Sequence, residues 1–290
     1  MKKYLIVNAD DFGLTKSVSE GILYAHQQGL VTSTTAMMNR EDIDIALKEA
    51  KKFKKLDIGV HLVFNKGFSL SKKQMISSLV DENGQFYKNL YELKETVNLE
   101  HLETEFSEQI NKYIKITGEI PSHIDCHHWN VLYPPFFNVY IHVAQKFKLP
   151  LRSPLIDKNS MTLSQLQNLL GTVSATDLER NRSTLRMVID KSGLYYPDQF
   201  ISSFFGQNVT TESFQKCLLN LDYGITEIMV HPGYNSEELE KESSYTDMRE
   251  KEIEILTSEE TIKLIQSENI QLVNFNEIEN IKESEKVLYK

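Results

Sequence analysis

Five of the eight histidines in this 290-residue chain lie in three short segments, and each segment has the pattern of a β-strand end. The segments are residues 57–61, 122–128 and 227–234. A fourth apolar run, residues 4–9, leads directly into the adjacent carboxylates Asp10 and Asp11. Imidazoles and carboxylates are side chains that bind divalent metals and transfer protons near neutral pH. In an α/β barrel, the active site is formed by side chains at the ends of the strands. The pattern therefore predicts a metal-dependent enzyme.

The segment 122–128 holds the densest group of these side chains. In a regular strand, residues two apart point to the same face, so His123, Asp125 and His127 are predicted to share one face and His128 to point to the other. A carboxylate beside a histidine is a pattern that fixes the tautomer of the imidazole ring. The alternation itself does not decide which of these groups binds a metal.

Each segment also has a simpler structural explanation when it is taken alone. His61 could be a hydrogen-bonded residue at a strand end, Asp10 and Asp11 could precede a helix as caps, and His231 could belong to an ordinary turn with Pro232 and Gly233. A purely structural interpretation requires all of these separate explanations to be true at once. One functional site at the strand ends explains all the segments together and is therefore favoured. Trp129, the single tryptophan, is compatible with a core position or with stacking on a sugar.

The bulk properties exclude some classes of partner. The net charge of -9 and pI near 5.5 argue against nucleic acid or an anionic membrane, which need a basic surface. The two cysteines, Cys126 and Cys217, are far apart in sequence and are expected to be free thiols. The apolar stretch near the N-terminus is too short for a signal peptide, and the sequence has no run of about 20 apolar residues that could span a membrane. We therefore expect a cytoplasmic protein without membrane contact.

Strand and helix patterns alternate along most of the chain. Strands are predicted at residues 4–9, 32–38, 58–64, 122–126, 149–152, 199–203, 227–230 and 270–275. Helices are predicted at residues 18–28, with Ser17 as N-cap and Gly29 as stop, and at 41–54, 99–117 and 135–148. The stretch 65–99 is predicted to cover the substrate, and 153–208 contains a helical patch at 163–170. The alternation predicts one α/β domain over residues 1–290, an irregular β/α (TIM-like) barrel of about seven strands with a charged helical tail from about 276.

Several motifs resemble those of the YdjC-like carbohydrate deacetylases, which include the chitooligosaccharide deacetylases. They lie at residues 8–13 (Asn-Ala-Asp-Asp-Phe-Gly), 31–35, 59–62, 121–128 (Pro-Ser-His-Ile-Asp-Cys-His-His) and 230–234 (Val-His-Pro-Gly-Tyr). The stretch 245–256 also looks like the C-terminal pattern of the family, and the resemblance runs from about residue 3 to residue 275. It implies an irregular β/α barrel with a divalent metal site. Two positions depart from the family pattern, since Cys126 replaces a common serine and Trp129 replaces a histidine.

The resemblance also implies roles for individual residues. Asp11, His61 and His127 would bind the metal, Asp10 would be the general base, and His231 is the candidate general acid. Further residues are expected to support these groups or to contact the substrate: Asp125, His123, His128, Trp129, Arg152 and Tyr234.

The predicted reaction is the hydrolytic removal of an N-acetyl group from an acetylated sugar or a short chitooligosaccharide. Ligand chemistry favours zinc, nickel or cobalt at such a site, whereas the resemblance implies one magnesium ion and a homodimer. A phosphoester hydrolase is an alternative, although it would need a second metal or several basic residues, which the motif segments lack. A sugar-binding regulator without activity is another, although it would not need both Asp10 and Asp11.

Overall fold

Seven parallel strands form one curled sheet, a half-barrel consistent with a TIM-like barrel. The computed structural model describes residues 2–88, 94–154 and 175–288. The strands are β1 (Lys3–Phe12), β2 (Ser33–Ala36), β3 (Asp57–Leu62), β4 (Ile124–Cys126), β5 (Gln199–Ile201), β6 (Gly224–Val230) and β7 (Ile270–Leu272). Their order is β4-β3-β2-β1-β6-β5, and β7 pairs with the first residues of β1. The predicted fold class is therefore confirmed.

Helices connect and cover the strands. They are α1 (Lys16–Gln28), α2 (Ile43–Ala50), α3 (Leu99–Thr117), α4 (Pro134–Phe147), α5 (Ala175–Ser192), α6 (Thr211–Leu219), α7 (Glu237–Glu242), α8 (Asp247–Thr257), α9 (Glu259–Ser267) and α10 (Ile278–Leu288). The main hydrophobic core lies between the sheet and these helices, and β1 is buried along most of its length. Burial on both faces explains why β1 is a continuous apolar run rather than an alternating one.

The ends of the helices follow local capping chemistry. Helix α3 has the predicted bounds because the Asn98 side chain accepts the Glu100 amide and Gly118, at φ 74°, ends the helix in the left-handed conformation. The prediction that Ser17 caps α1 is wrong. The helix begins earlier, and the Thr15 hydroxyl accepts the Val18 amide at 3.2 Å.

Several strands and one helix are shorter in the structure than the sequence predicts. The strands β2, β4, β5 and β7 and the helix α2 are each shorter than predicted, and β3 ends two residues earlier but begins one residue earlier than predicted. The predicted strand at 149–152 is reduced to a single parallel pairing of Leu151 with Ile124. The predicted helical patch at 163–170 lies outside the described residues. The charged tail forms α10, and no helix among the described residues is long and apolar enough to cross a membrane.

The stretch that follows β3 is fixed against the rest of the domain over residues 65–88. The buried Glu105 carboxylate of α3 accepts the backbone amides of Leu70 at 3.1 Å and Ser71 at 2.9 Å. The Asn39 side chain donates to the carbonyls of Lys66 and Phe68 at 2.8 and 3.0 Å. These contacts hold the stretch at the end of the barrel where β2 and β3 finish.

Candidate active site

A bulge at the end of β1 positions two consecutive carboxylates. The pairing between β1 and β2 shifts register between Ala9 and Phe12, and Asp11 has φ 70° in the left-handed region. Adjacent residues of a regular strand point to opposite faces, and a bulge re-aims one of them. Asp10 and Asp11 are both only 3% exposed, and each carboxylate has a separate set of partners in the site.

The Asp11 carboxylate meets His61 and His127 at the ends of β3 and β4, and we call these three residues the triad. Asp11 Oδ1 lies 3.5 Å from His61 Nε2 and 3.1 Å from His127 Nδ1. The two ring nitrogens lie 3.3 Å apart. Three donor atoms therefore form a nearly equilateral triangle, contributed from the ends of β1, β3 and β4 at one edge of the sheet.

The triad fits a divalent cation. Metal–ligand bonds of about 2.0–2.2 Å that meet at angles of about 90–110° place donors roughly 3–3.5 Å apart, close to the observed triangle. Asp11 Oδ1 is buried and has no hydrogen-bond partner among the described residues. The other oxygen of Asp11 accepts Arg249 Nη2 at 2.6 Å, which leaves Oδ1 as the donor that faces the histidines. Burial disfavours the charged form, but Arg249 and His127 outweigh it and hold the pKa of Asp11 well below its usual range.

Asp125 orients the His61 ring. His61 Nδ1 lies 2.6 Å from Asp125 Oδ1, so Nε2 is left free to face Asp11. The second oxygen of Asp125 accepts a hydrogen bond from the Thr35 hydroxyl at 3.0 Å and forms an ion pair with Arg152 Nη1, 3.0 Å away. Burial alone would lower the pKa of His61, but the charge and hydrogen bond of Asp125 raise it to about 9. This arrangement is the carboxylate–histidine pairing that supports ligands in metal sites.

The chain turns sharply directly after β4, at His127. A short 3-10 helix, His127–Leu132, contains His128 at φ 58° and Trp129 at φ 56°. Burial lowers the pKa of His127, although Asp11 opposes the shift, so this ring is neutral at pH 7. His128 is exposed, its Nδ1 contacts Asn65 Nδ2 at 3.0 Å, and its ring centroid is 3.8 Å from that of His127.

Arg152 holds three buried carboxyl groups. Its Nη2 and Nη1 donate to the two oxygens of Asp10 at 2.5 and 2.8 Å, and its Nε donates to Glu227 Oε1 at 2.7 Å. Nη1 also contacts Asp125, as described above. Burial opposes the ionisation of Asp10, but the Arg152 charge and its hydrogen bonds lower the pKa of Asp10 to about 2. Asp10 is therefore an anion at neutral pH.

His231 follows β6 on the other side of β1. Its backbone amide donates to Glu252, and its ring lies near the rings of Phe205 and Tyr245 with centroids 5.3 and 5.7 Å apart. Burial lowers the pKa of His231 to about 4, against the opposing charges of Asp10 and Asp11. Its Nδ1 has no hydrogen-bond partner within the described part of the chain.

Three other predicted residues make their contacts outside the triad. The His123 ring stacks on Phe275 with centroids 3.5 Å apart, and its Nδ1 contacts the Ser122 hydroxyl at 2.8 Å. Trp129 is 4% exposed and packs edge-on against Phe200. The Tyr234 ring lies near that of Tyr24, with centroids 6.3 Å apart. These contacts place His123 and Trp129 in the packed interior and Tyr234 beside α1.

Sequence reasoning did not assign several groups that the fold brings to the site. They are Arg249, Glu227, Glu252 and Tyr245. Arg249 is 2% exposed and comes from α8, more than two hundred residues after Asp11 in sequence. The signal for it in the sequence is the motif at 245–256, which contains this arginine.

The family model for YdjC-like proteins matches residues 4–267. A carbohydrate deacetylase of Thermoanaerobacter pseudethanolicus is 33% identical over 274 residues, which cover 94% of this chain and 98% of that protein. A chitooligosaccharide deacetylase of Yersinia enterocolitica is 36% identical over 263 residues, or 89% of this chain and 92% of that protein.

A solved structure has the same fold over nearly the full chain. It is the crystal structure of a protein from Enterococcus faecalis described as a candidate cellobiose-phosphate cleavage protein. Its TM-score is 0.80 at 32% identity, covering 95% of this chain and 98% of that one. The match of the family model over most of the chain agrees with the relatives, and this chain belongs to the YdjC-like protein family.

Proposed function

We propose that this protein is a carbohydrate deacetylase that hydrolyses the N-acetyl group of a sugar or short chitooligosaccharide, with one divalent ion held by Asp11, His61 and His127. The observation that carries the proposal is the triangle of three donor atoms 3.1–3.5 Å apart, one of them a buried carboxylate oxygen without another partner in the described residues. The names of the relatives supply the substrate class.

Asp10 is the proposed proton acceptor. Because Arg152 keeps it ionised, it is in the accepting form throughout the neutral range. The same low pKa makes it a weak base, so it needs a water molecule of raised acidity. A divalent ion, when bound at the triad, would supply that acidity and would polarise the acetyl carbonyl. Arg152 also fixes the direction of the Asp10 carboxylate through two parallel hydrogen bonds.

His231 is the proposed proton donor to the departing amine. An amine leaves readily only when it is protonated, so this reaction needs an acid as well as a base. A pKa of about 4 means that His231 is neutral at pH 7 before substrate binds. Its proton must therefore arrive during the reaction cycle. The neighbouring Asp10 is the proposed source, because it accepts a proton in the preceding step.

The two alternatives are less well supported by the site. A phosphoester hydrolase needs cationic groups that are free to bind phosphate. Arg152 and Arg249 are instead engaged by carboxylates, through Asp10 and Asp11 among others. A sugar-binding regulator would not need Asp10, whose buried, doubly hydrogen-bonded position is suited to catalysis.

The test is acetate release from N,N′-diacetylchitobiose after removal of metal with a chelator and after addition of zinc, cobalt, nickel or magnesium. We expect activity only with metal, and the identity of the most active ion decides between the ligand chemistry and the resemblance. Asp11→Asn should abolish the metal-dependent activity. Asp44→Asn, at an exposed position on α2, is the matched control and should leave the activity unchanged.

Full activity after chelation would contradict the metal site. An absence of acetate release from every N-acetylated sugar, with metal bound, would contradict the proposed reaction. A homodimer and a cytoplasmic location remain predictions.

A further inference from the structure

Two stacked aromatic rings lie beside His231, and Phe205 is the exposed ring of the pair. The Phe205 and Tyr245 rings are stacked, with centroids 4.3 Å apart and an interplanar angle of 20°. Phe205 is 43% exposed, although it is large and apolar. It lies in the segment that follows β5, at the same end of the barrel as the triad. We call this pair the aromatic platform.

The platform is tied to the catalytic groups through Tyr245. The Tyr245 hydroxyl donates to one oxygen of Glu252, and the other oxygen of Glu252 accepts the backbone amide of His231. Arg249 Nε donates to the Tyr245 carbonyl at 2.9 Å, and the same guanidinium holds Asp11. The phenol is therefore fixed in place relative to both the candidate acid and a metal ligand.

The chemistry of the departing amine determines what must lie next to His231. In an N-acetylated sugar, the amide nitrogen is bonded directly to a carbon of the pyranose ring. A group that protonates this nitrogen must come within hydrogen-bonding distance, so the ring that carries the nitrogen must lie beside His231. The Phe205 ring, with its centroid 5.3 Å from that of His231, is the exposed surface at this position.

A pyranose ring has one face made mainly of C–H groups, and such a face packs on a flat aromatic ring by excluding water from both apolar surfaces. We propose that the aromatic platform binds the sugar unit whose acetamide is cleaved and that Phe205 positions this unit against His231. The inference rests on the proposed deacetylase function and adds to it a recognition surface for the reacting sugar ring.

Steady-state kinetics on diacetylchitobiose tests the positioning role. Removing a contact that covers about 50 Å² of apolar surface lowers affinity roughly tenfold. We expect Phe205→Ala and Phe205→Leu to raise KM about tenfold with a smaller change in kcat, and Phe205→Tyr to restore the wild-type value because it keeps a flat ring. Tyr223→Ala is the control, since Tyr223 is a 61% exposed aromatic residue just before β6, at the opposite end of the barrel.

An unchanged KM in Phe205→Ala would overturn the inference. So would a rise in KM that Phe205→Tyr does not reverse, since that result would indicate a general structural effect of this position.

A binding experiment separates this inference from the proposed function. In an Asp10→Asn background, which slows turnover strongly, Phe205→Trp places a reporter on the platform, and we expect its fluorescence to change on titration with diacetylchitobiose. The Asp10→Asn background without the reporter gives the response of Trp129, the only native tryptophan. Tyr223→Trp in that background should give no additional change.

Binding is read here even when no acetate is released. A Phe205→Trp signal without wild-type deacetylation would therefore contradict the proposed reaction and support the platform. Wild-type deacetylation without a Phe205→Trp signal would contradict the platform alone.

Discussion

Asp125 is predicted to control how many protons leave the protein when a divalent ion binds. His61, with a pKa of about 9, is almost fully protonated at pH 7 before the ion binds, while His127 is neutral. A metal ligand must give up its proton, so the wild-type protein should release about one proton per ion at pH 7. Proton competition over two pH units should also lower the apparent affinity at pH 7 about 100-fold relative to pH values above 9.

Asp125→Asn should reduce this proton release to nearly zero. The substitution removes the charge that raises the pKa of His61, and burial then keeps the ring neutral at pH 7. The amide oxygen of the new side chain is expected to face the two donors, the Thr35 hydroxyl and Arg152 Nη1, that now contact Asp125 Oδ2. Its NH2 group would then face His61 Nδ1 and favour the tautomer that is protonated at Nε2.

Two effects on affinity therefore oppose each other in Asp125→Asn. The loss of proton competition strengthens binding at pH 7, whereas the unfavourable tautomer weakens it by roughly 10–100-fold, as is usual when a supporting carboxylate is lost. The net affinity at pH 7 should change little. Above pH 9, where proton competition disappears in the wild type, the variant should bind more weakly by the full tautomer effect.

Isothermal titration calorimetry with Zn²⁺ in two buffers of different ionisation enthalpy measures the released protons directly. The matched control is Asp10→Asn, which also removes a buried carboxylate from Arg152 but keeps the Asp125–His61 contact, and we expect it to release about one proton. Equal proton release by wild type and Asp125→Asn would refute the assignment of the His61 charge to Asp125. Loss of proton release in both variants would show that the protonation of His61 depends on Arg152 and all its carboxylate partners, and not on Asp125 alone.

Three further predictions concern other parts of the site and the fold. Asp11→Asn should lose the metal ion, whereas Asp10→Asn should keep the ion and have a turnover about 10²–10⁴-fold lower. Equal metal content in the two variants, measured by elemental analysis, would contradict the assignment of Asp11 as metal ligand and Asp10 as base. His231→Ala should lower amide hydrolysis far more than hydrolysis of an activated acetyl ester, since that leaving group needs less protonation; equal losses would indicate substrate positioning instead. Asp57, whose pKa burial raises to about 7 although the Phe275 amide opposes the shift, favours the protonated form on folding. Its stabilising effect is therefore present below about pH 4 and is lost as the pH rises to about 7, by up to about 4 kcal/mol. Asp57→Asn should thus flatten the fall in melting temperature between pH 4 and pH 7, and an unchanged pH profile would contradict this explanation.

The alternation of strands and helices was readable because each strand is a distinct apolar run bounded by polar residues. The bounds of α3 followed from Asn98 and Gly118, two residues with strong local preferences. By contrast, Thr15 and Ser17 are both good helix caps, and only the packing of α1 decides between them. The rule that parallel strands end at the same edge of a sheet was enough to bring Asp11, His61 and His127 to one end of the barrel, whereas their grouping as metal ligands was implied by the family resemblance.

Other features of the site depend on conformations or distances that a local pattern does not contain. A regular β1 would point Asp10 and Asp11 to opposite faces, and the left-handed backbone of Asp11 is what brings both carboxylates into the site. Arg249 and Tyr245 reach it only after the barrel has curled. Strand alternation grouped His123 with His127, yet the ring of His123 lies against Phe275 and Gly59 in the core, because His123 stands two residues before Asp125 and so lies deeper in the barrel than the triad.

The single positive charge of Arg152, together with protonation of one of the acids, explains how three acids can be buried around one guanidinium. Burial raises the pKa of Glu227 to about 8 although Arg152 opposes the shift, whereas the pKa of Asp10 falls to about 2. Glu227 is therefore mostly protonated at pH 7, and the positive charge of Arg152 is shared between Asp10 and Asp125. One of these carboxylates faces the reaction as the proposed base, and the other sets the ring of His61. A neutral Glu227 can still accept the Arg152 Nε hydrogen bond, so it fixes the guanidinium without competing for its charge. The same arginine thus joins the proposed proton acceptor to the carboxylate that orients the His61 ring, because one guanidinium contacts both Asp10 and Asp125.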